Sequence, residues 1–98
     1  MYTLITAATS AGAYQLKSKI GGENILLGDY AELPEILVSS HNMIRLPDPS
    51  DASYVHKMLA LCLDRNITAL YALRDAENKL LMESKQLFSE YGIHIFAL

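Results

Sequence analysis

The apolar positions of this chain switch repeatedly between short continuous runs and a helical spacing, and that alternation predicts its elements. Residues 3–6 (Thr-Leu-Ile-Thr) form a β-prone run. The chain then passes through the small residues 7–12 (Ala-Ala-Thr-Ser-Ala-Gly) into a segment whose Ala13, Leu16 and Ile20 share one helix face. The expected order is strand, tight turn, helix. Gly21 and Gly22 stop the helix, and residues 24–27 (Asn-Ile-Leu-Leu) begin a second strand. Gly28 and Asp29 close that strand with turn chemistry, which leaves Asp29 at its carboxyl end. Residues 30–40 are irregular. Pro34 biases Leu33 away from helix, so the expectation there is at most a helical turn over 34–37.

A third strand is expected over 42–46, ended by Pro47, Asp48 and Pro49, whose two prolines remove ladder donors. The clearest helix follows, with Ser50 as its N-cap, Asp51 in its first turn, and Val55, Met58, Leu59, Cys62 and Leu63 as the stripe that faces the sheet. Asn66 ends it. Residues 67–73 (Ile-Thr-Ala-Leu-Tyr-Ala-Leu) are almost continuously apolar, as in a parallel strand covered on both faces, and they predict a central position. Arg74, Asp75, Ala76 and Glu77 then open one long helix with Leu80, Leu81, Ser84, Leu87 and Phe88 inside, and Gly92 stops it. Residues 93–98 make a fifth strand.

Strands that alternate with helices imply right-handed crossovers and a parallel sheet. The fold class predicted is therefore α/β, a three-layer Rossmann-like sandwich with five parallel strands in the order 3-2-1-4-5. Ninety-eight residues make one domain spanning 1–98, long enough to bury roughly two-thirds of the unfolded surface.

Composition narrows the function more than it names it. A hydrophobic fraction of 51% with charged residues at 19% is rich in core for so small a domain, so a partner, such as a second copy in a homodimer, is expected to cover part of the surface. The net charge of −3, with eight Lys and Arg scattered singly, offers no basic stripe for nucleic acid. No run approaches the roughly 20 apolar residues that span a bilayer. The single cysteine, Cys62, forms no internal disulfide, and no secretory leader is recognisable, which predicts a cytoplasmic protein.

Candidate chemistry gathers at the carboxyl edge of the predicted sheet, where open α/β folds bind ligands. Thr9, Ser10 and Gly12 in the first turn offer hydroxyls and helix N–H groups to an anion, or simply cap the helix. Asp29 holds the position from which dinucleotide-binding folds reach the ribose hydroxyls, although Asp after Gly is ordinary turn chemistry. Asp75 and Glu77 open a helix, where the dipole favours negative side chains in any case. Glu77 nevertheless lies three residues before Leu80, on the inner edge of the stripe, where an acid that only solvates is out of place. His41, His56 and His94 share no ligand spacing, so no metal site is expected, and Cys62 reads as core. No Walker-type loop, nucleophile elbow or HExxH is present, and no catalytic residue is assigned.

Taken together, residues 4–12 (Leu-Ile-Thr-Ala-Ala-Thr-Ser-Ala-Gly), Leu27-Gly-Asp29, Arg45-Leu-Pro47 ahead of Tyr54-Val55, residues 65–71 (Arg-Asn-Ile-Thr-Ala-Leu-Tyr), Arg74-Asp75-Ala-Glu77, and residues 84–88 followed by Tyr91-Gly92-Ile93 carry a resemblance. The chain resembles the pre-ATP-grasp domain, the small Rossmann-like N-terminal domain of ATP-grasp carboxylate-amine ligases and carbamoyl-phosphate-synthase-like proteins. The resemblance covers nearly all of it. Ala7 and Ser10 stand where that family carries glycines.

What the resemblance implies is a substrate-side module that is not catalytic alone. Its partner is an ATP-grasp catalytic domain in cis or in trans, and ATP and Mg2+ belong to the full-length ligase while this chain carries no cofactor. By the same resemblance the segment of Asp75 and Glu77 faces the substrate, where an acid holds its amine or an Arg; Thr9, Ser10, Gly12 and Asp29 join them as candidate substrate-binding residues by their position at the sheet edge alone. Two other readings stay open: a stand-alone binding or oligomerisation module, and a degenerate NAD(P)-binding protein. Residues 6–13 are similar to the first turn of short-chain dehydrogenases, but that pattern's leading glycines are replaced and no Tyr-x-x-x-Lys pair follows.

Overall fold

In a computed structural model of the chain, residues 2–7, 10–21, 24–30 and 43–96 are described. The elements in order are β1 (Tyr2–Ile5), α1 (Ala11–Ile20), β2 (Ile25–Asp29), β3 (Met43–Arg45), α2 (Tyr54–Asp64), β4 (Ile67–Tyr71), α3 (Asp75–Glu83), α4 (Lys85–Glu90) and β5 (His94–Phe96). The strands form one sheet in the order β3-β2-β1-β4-β5, and every pairing is parallel. The architecture is the α/β one expected, Rossmann-like, with β4 flanked by β1 and β5.

Alternation along each strand divides the core in two. Leu4, Leu70 and Ile95 project to one face and meet Tyr54, Met58, Cys62, Leu81 and Phe88 of α2, α3 and α4. Ile5, Leu27 and Met43 project to the other and meet Ala13 and Leu16 of α1. The first helix begins where the small-residue turn ends: Ser10 is its N-cap, and the Ser10 Oγ accepts the Ala13 N–H at 3.2 Å. It stops at Gly21, whose φ of +68° is the left-handed conformation an L side chain resists.

Several boundaries differ from those expected. The second strand does not turn at Gly28 but continues through Asp29, which pairs with Arg45 of β3. Gly28 is required for another reason. A Cβ there would lie 2.9 Å from Leu46 Cγ and Cδ2, inside the core. The helix expected from Ser50 starts at Tyr54 instead. Asp48 Oδ1 accepts both the backbone N–H and the hydroxyl of Ser50, and Asp51 Oδ1 accepts the Ser53 N–H, so two successive Asp turns use up the segment before helix can form. The buried face rotates accordingly. Tyr54, Met58, Leu59 and Cys62 are inside and Leu63 is exposed.

The single long helix expected after β4 is two. Its inner stripe was expected to run unbroken through Ser84, but there the N–H bonds back three residues to Leu81 and the backbone leaves helical geometry, separating α3 from α4. Leu81 and Phe88 still reach the core on either side of the break. The fifth strand is confined, among described residues, to His94–Phe96. The helical turn expected over 34–37 lies outside the described residues. No helix among the described residues is long and apolar enough to cross a membrane.

Candidate functional site

The carboxyl edge of the sheet brings together residues from four places in the chain. Asp29 ends β2, Thr6 follows β1, Arg74 is the N-cap of α3 and Glu77 lies in the first turn of α3. Tyr54, the first residue of α2, joins them through its hydroxyl.

Asp29 is fully buried, and Arg74 clamps it side-on: Nε–H donates to Oδ1 at 3.1 Å and Nη2–H to Oδ2 at 2.7 Å. The guanidinium also lies over the Tyr30 ring, 5.0 Å from its centroid. Its side chain is 34% exposed, so the pair has one buried end and one wet end. The Asp29 carboxylate holds the guanidinium in its charged form more firmly than usual.

Glu77 is fully buried as well. The Tyr54 hydroxyl donates to Oε2 at 3.2 Å, and Oε1 is a buried oxygen with no hydrogen-bond partner. Burial pushes the Glu77 carboxyl above its ordinary 4.5; the hydroxyls of Tyr54 and Thr6 pull it down, the charge of Asp29 pushes it up and that of Arg74 pulls it down. Tyr54 in turn is raised by its own burial and by the neighbouring Glu77. Thr6 fixes the floor of the cluster, its Oγ1 accepting the Leu73 N–H at 2.8 Å while its own N–H donates to the Tyr71 carbonyl at 3.0 Å.

Of the residues singled out from sequence, the structure gathers Asp29 and Glu77 into this cluster. The turn role favoured for Asp29 is replaced by a strand role, because Arg74 compensates a carboxylate that could not otherwise be buried. Asp75 is exposed in the first turn of α3. Ser10 spends its hydroxyl on the helix cap, and Gly12 is exposed, with only Ser10 Oγ at 3.9 Å from where a Cβ would sit. Thr9 lies outside the described residues.

Arg74, Tyr54 and Thr6 were not singled out as site residues. All three stand in the segments quoted above, but no periodicity ties Arg74 to Asp29, which is 45 residues away on a strand that does not pair with β4. Among the described residues no three His, Cys, Asp or Glu side chains group as a metal ion would need. Cys62 is buried in the helical core, where burial pushes its thiol up to about 12.

The family model "PylC-like, N-terminal domain" matches residues 4–96 of the chain, from β1 through β5. The chain belongs to this family. It is a pre-ATP-grasp domain of ATP-grasp ligases, and such a domain works with an ATP-grasp catalytic domain. No curated relative matches the chain. In a PylC-like N-terminal domain the glycine-poor first turn has a visible consequence. Ala7, where the resemblance led to the expectation of glycine, adopts φ +53° and remains buried.

Proposed function

We propose that this domain forms the acceptor-substrate side of an ATP-grasp ligase and is not catalytic by itself. In the reaction the resemblance implies, ATP and Mg2+ held by the ATP-grasp portion convert a carboxylate to an acyl phosphate, and an amine displaces the phosphate to give the amide. This chain's part is to hold the amine-bearing substrate. The observation that supports the reading is Glu77: a buried carboxyl at the sheet's carboxyl edge, with Oε1 unpartnered and Oε2 fixed by Tyr54. A buried polar atom left unpaired is rare in a folded domain, and we read this one as the place of a ligand group. Oε1 is the acceptor for an amino group, and the Asp29–Arg74 pair fixes the wall beside it.

The degenerate NAD(P)-binding reading is less well supported, since the Asp29 carboxylate is buried against Arg74 and not presented to ribose hydroxyls. The test is steady-state kinetics of the assembled ligase with Glu77→Gln. The expected result is a KM for the amine substrate raised at least about tenfold, the worth of one lost charged hydrogen bond, with the KM for ATP unchanged. Equal amine KM values in the two proteins overturn the reading.

A further inference from the structure

The two faces of the sheet are unequally covered. Over the face of Leu4, Leu70 and Ile95, none of which meets solvent, lie α2, α3 and α4. On the opposite face the described helices supply α1 alone, which packs on Ile5, Leu27 and Met43 of β1, β2 and β3. Across β4 and β5 that face presents aromatic rings. Tyr71 and Phe96, neighbours in register, stack at 4.4 Å with 4° between their planes, and His94 lies 4.3 Å from Phe96. Tyr71, Phe96 and Ala69 are half-buried and His94 is exposed. Parallel strands normally carry a layer on both faces, and here half of one layer is missing from the described elements. Stacked rings are held in place before any partner arrives, so little ordering entropy remains to oppose docking.

We propose that the Tyr71, Phe96 and His94 surface seats the ATP-grasp portion of the ligase, through a segment that presents apolar side chains to the stacked rings. The family assignment selects this occupant over others. An N-terminal domain is followed by the rest of its ligase, the match runs to Phe96, and Phe96 is itself a member of the stack. A following segment therefore emerges beside the patch and meets it at high effective concentration. This inference rests on family membership and not on Glu77, so the two readings fail independently.

Carbethoxylation by diethyl pyrocarbonate, read by mass spectrometry, tests it without a variant. His94 lies in the patch, and His56, also exposed, lies on α2 across the sheet and serves as the internal reference. In the 98-residue chain both histidines are expected to react at the rate of exposed imidazoles. In the assembled ligase His94 is expected to slow by about tenfold or more while His56 does not change. Equal His94 rates in the two samples overturn the proposal, as does equal slowing of both histidines. Slowing of His94 in the 98-residue chain alone as its concentration rises also overturns it, in favour of a second copy.

Discussion

Arg74 reaches across the end of β1 to grip Asp29 through two N–H groups, joining the ends of β2 and β4, strands that do not pair with each other. The carboxylate is fully buried and the guanidinium one-third exposed at 34%. Removing the cation alone leaves the buried charge without its clamp, whereas removing both does not. Arg74→Met is therefore expected to lower unfolding stability by about 2 kcal/mol, less than for a fully buried pair because of the wet end. The double variant with Asp29→Asn is expected to recover part of the loss. Urea denaturation of the wild type and the variants, compared as a double-mutant cycle, checks both.

Glu77 gives the domain a pH dependence of definite sign. Its carboxyl is raised above 4.5 in the folded state by burial, so between 4.5 and the raised value the native chain keeps a proton that the unfolded chain has lost. The stability from Glu77 is fully present below 4.5 and is lost as pH climbs through the folded value. Asp48 and Asp51 have the opposite sign. Hydrogen bonds from Ser50 and from Lys57 hold them below 3.8, so their stability is present above 3.8 and is lost only as pH falls below it. Calorimetry run upward from pH 4.5 is expected to show Tm declining in the wild type and a flatter profile in Glu77→Gln. Parallel profiles would rule this out.

Ala7 holds a left-handed backbone at φ +53°. Glycine adopts that conformation without the Cβ penalty, so Ala7→Gly is expected to stabilise the domain by about 0.5 to 1 kcal/mol even though glycine is usually the costlier residue. A Tm that falls on this substitution would contradict the assignment.

Gly28 is the reverse case. A Cβ there meets Leu46 at 2.9 Å and Ile44 Cγ1 at 3.1 Å, and both side chains are buried. Gly28→Ala is expected to cost about 1 to 3 kcal/mol in urea unfolding, as overpacking does, whereas Gly12→Ala, whose Cβ would make only an ordinary contact with Ser10 Oγ at 3.9 Å, is expected to be tolerated.

Much of the fold was legible because it is written locally. A parallel sheet demands alternating short apolar runs and helical stripes, and 3-2-1-4-5 is the simplest order that right-handed crossovers allow for these elements. The boundaries that moved did so where side chains compete with the backbone: Asp48 and Asp51 capture the N–H groups ahead of α2, and α3 gives way at Ser84. The inner placement of Glu77 could be read from its distance to Leu80. Its partner Tyr54 could not, because 23 residues separate them and no periodicity reports such a pair. The same holds for Arg74 and Asp29, 45 residues apart.

The most direct test of the account is the titration of the Glu77 carboxyl itself. It can be followed by NMR in the assembled ligase carrying 13C-labelled glutamate, with Glu77→Gln to assign the signal, with and without saturating amine substrate. The account predicts a carboxyl that titrates above 4.5 without substrate, as burial requires, and that moves down once an ammonium is seated on Oε1. A Glu77 signal whose titration is the same with and without the amine would contradict it.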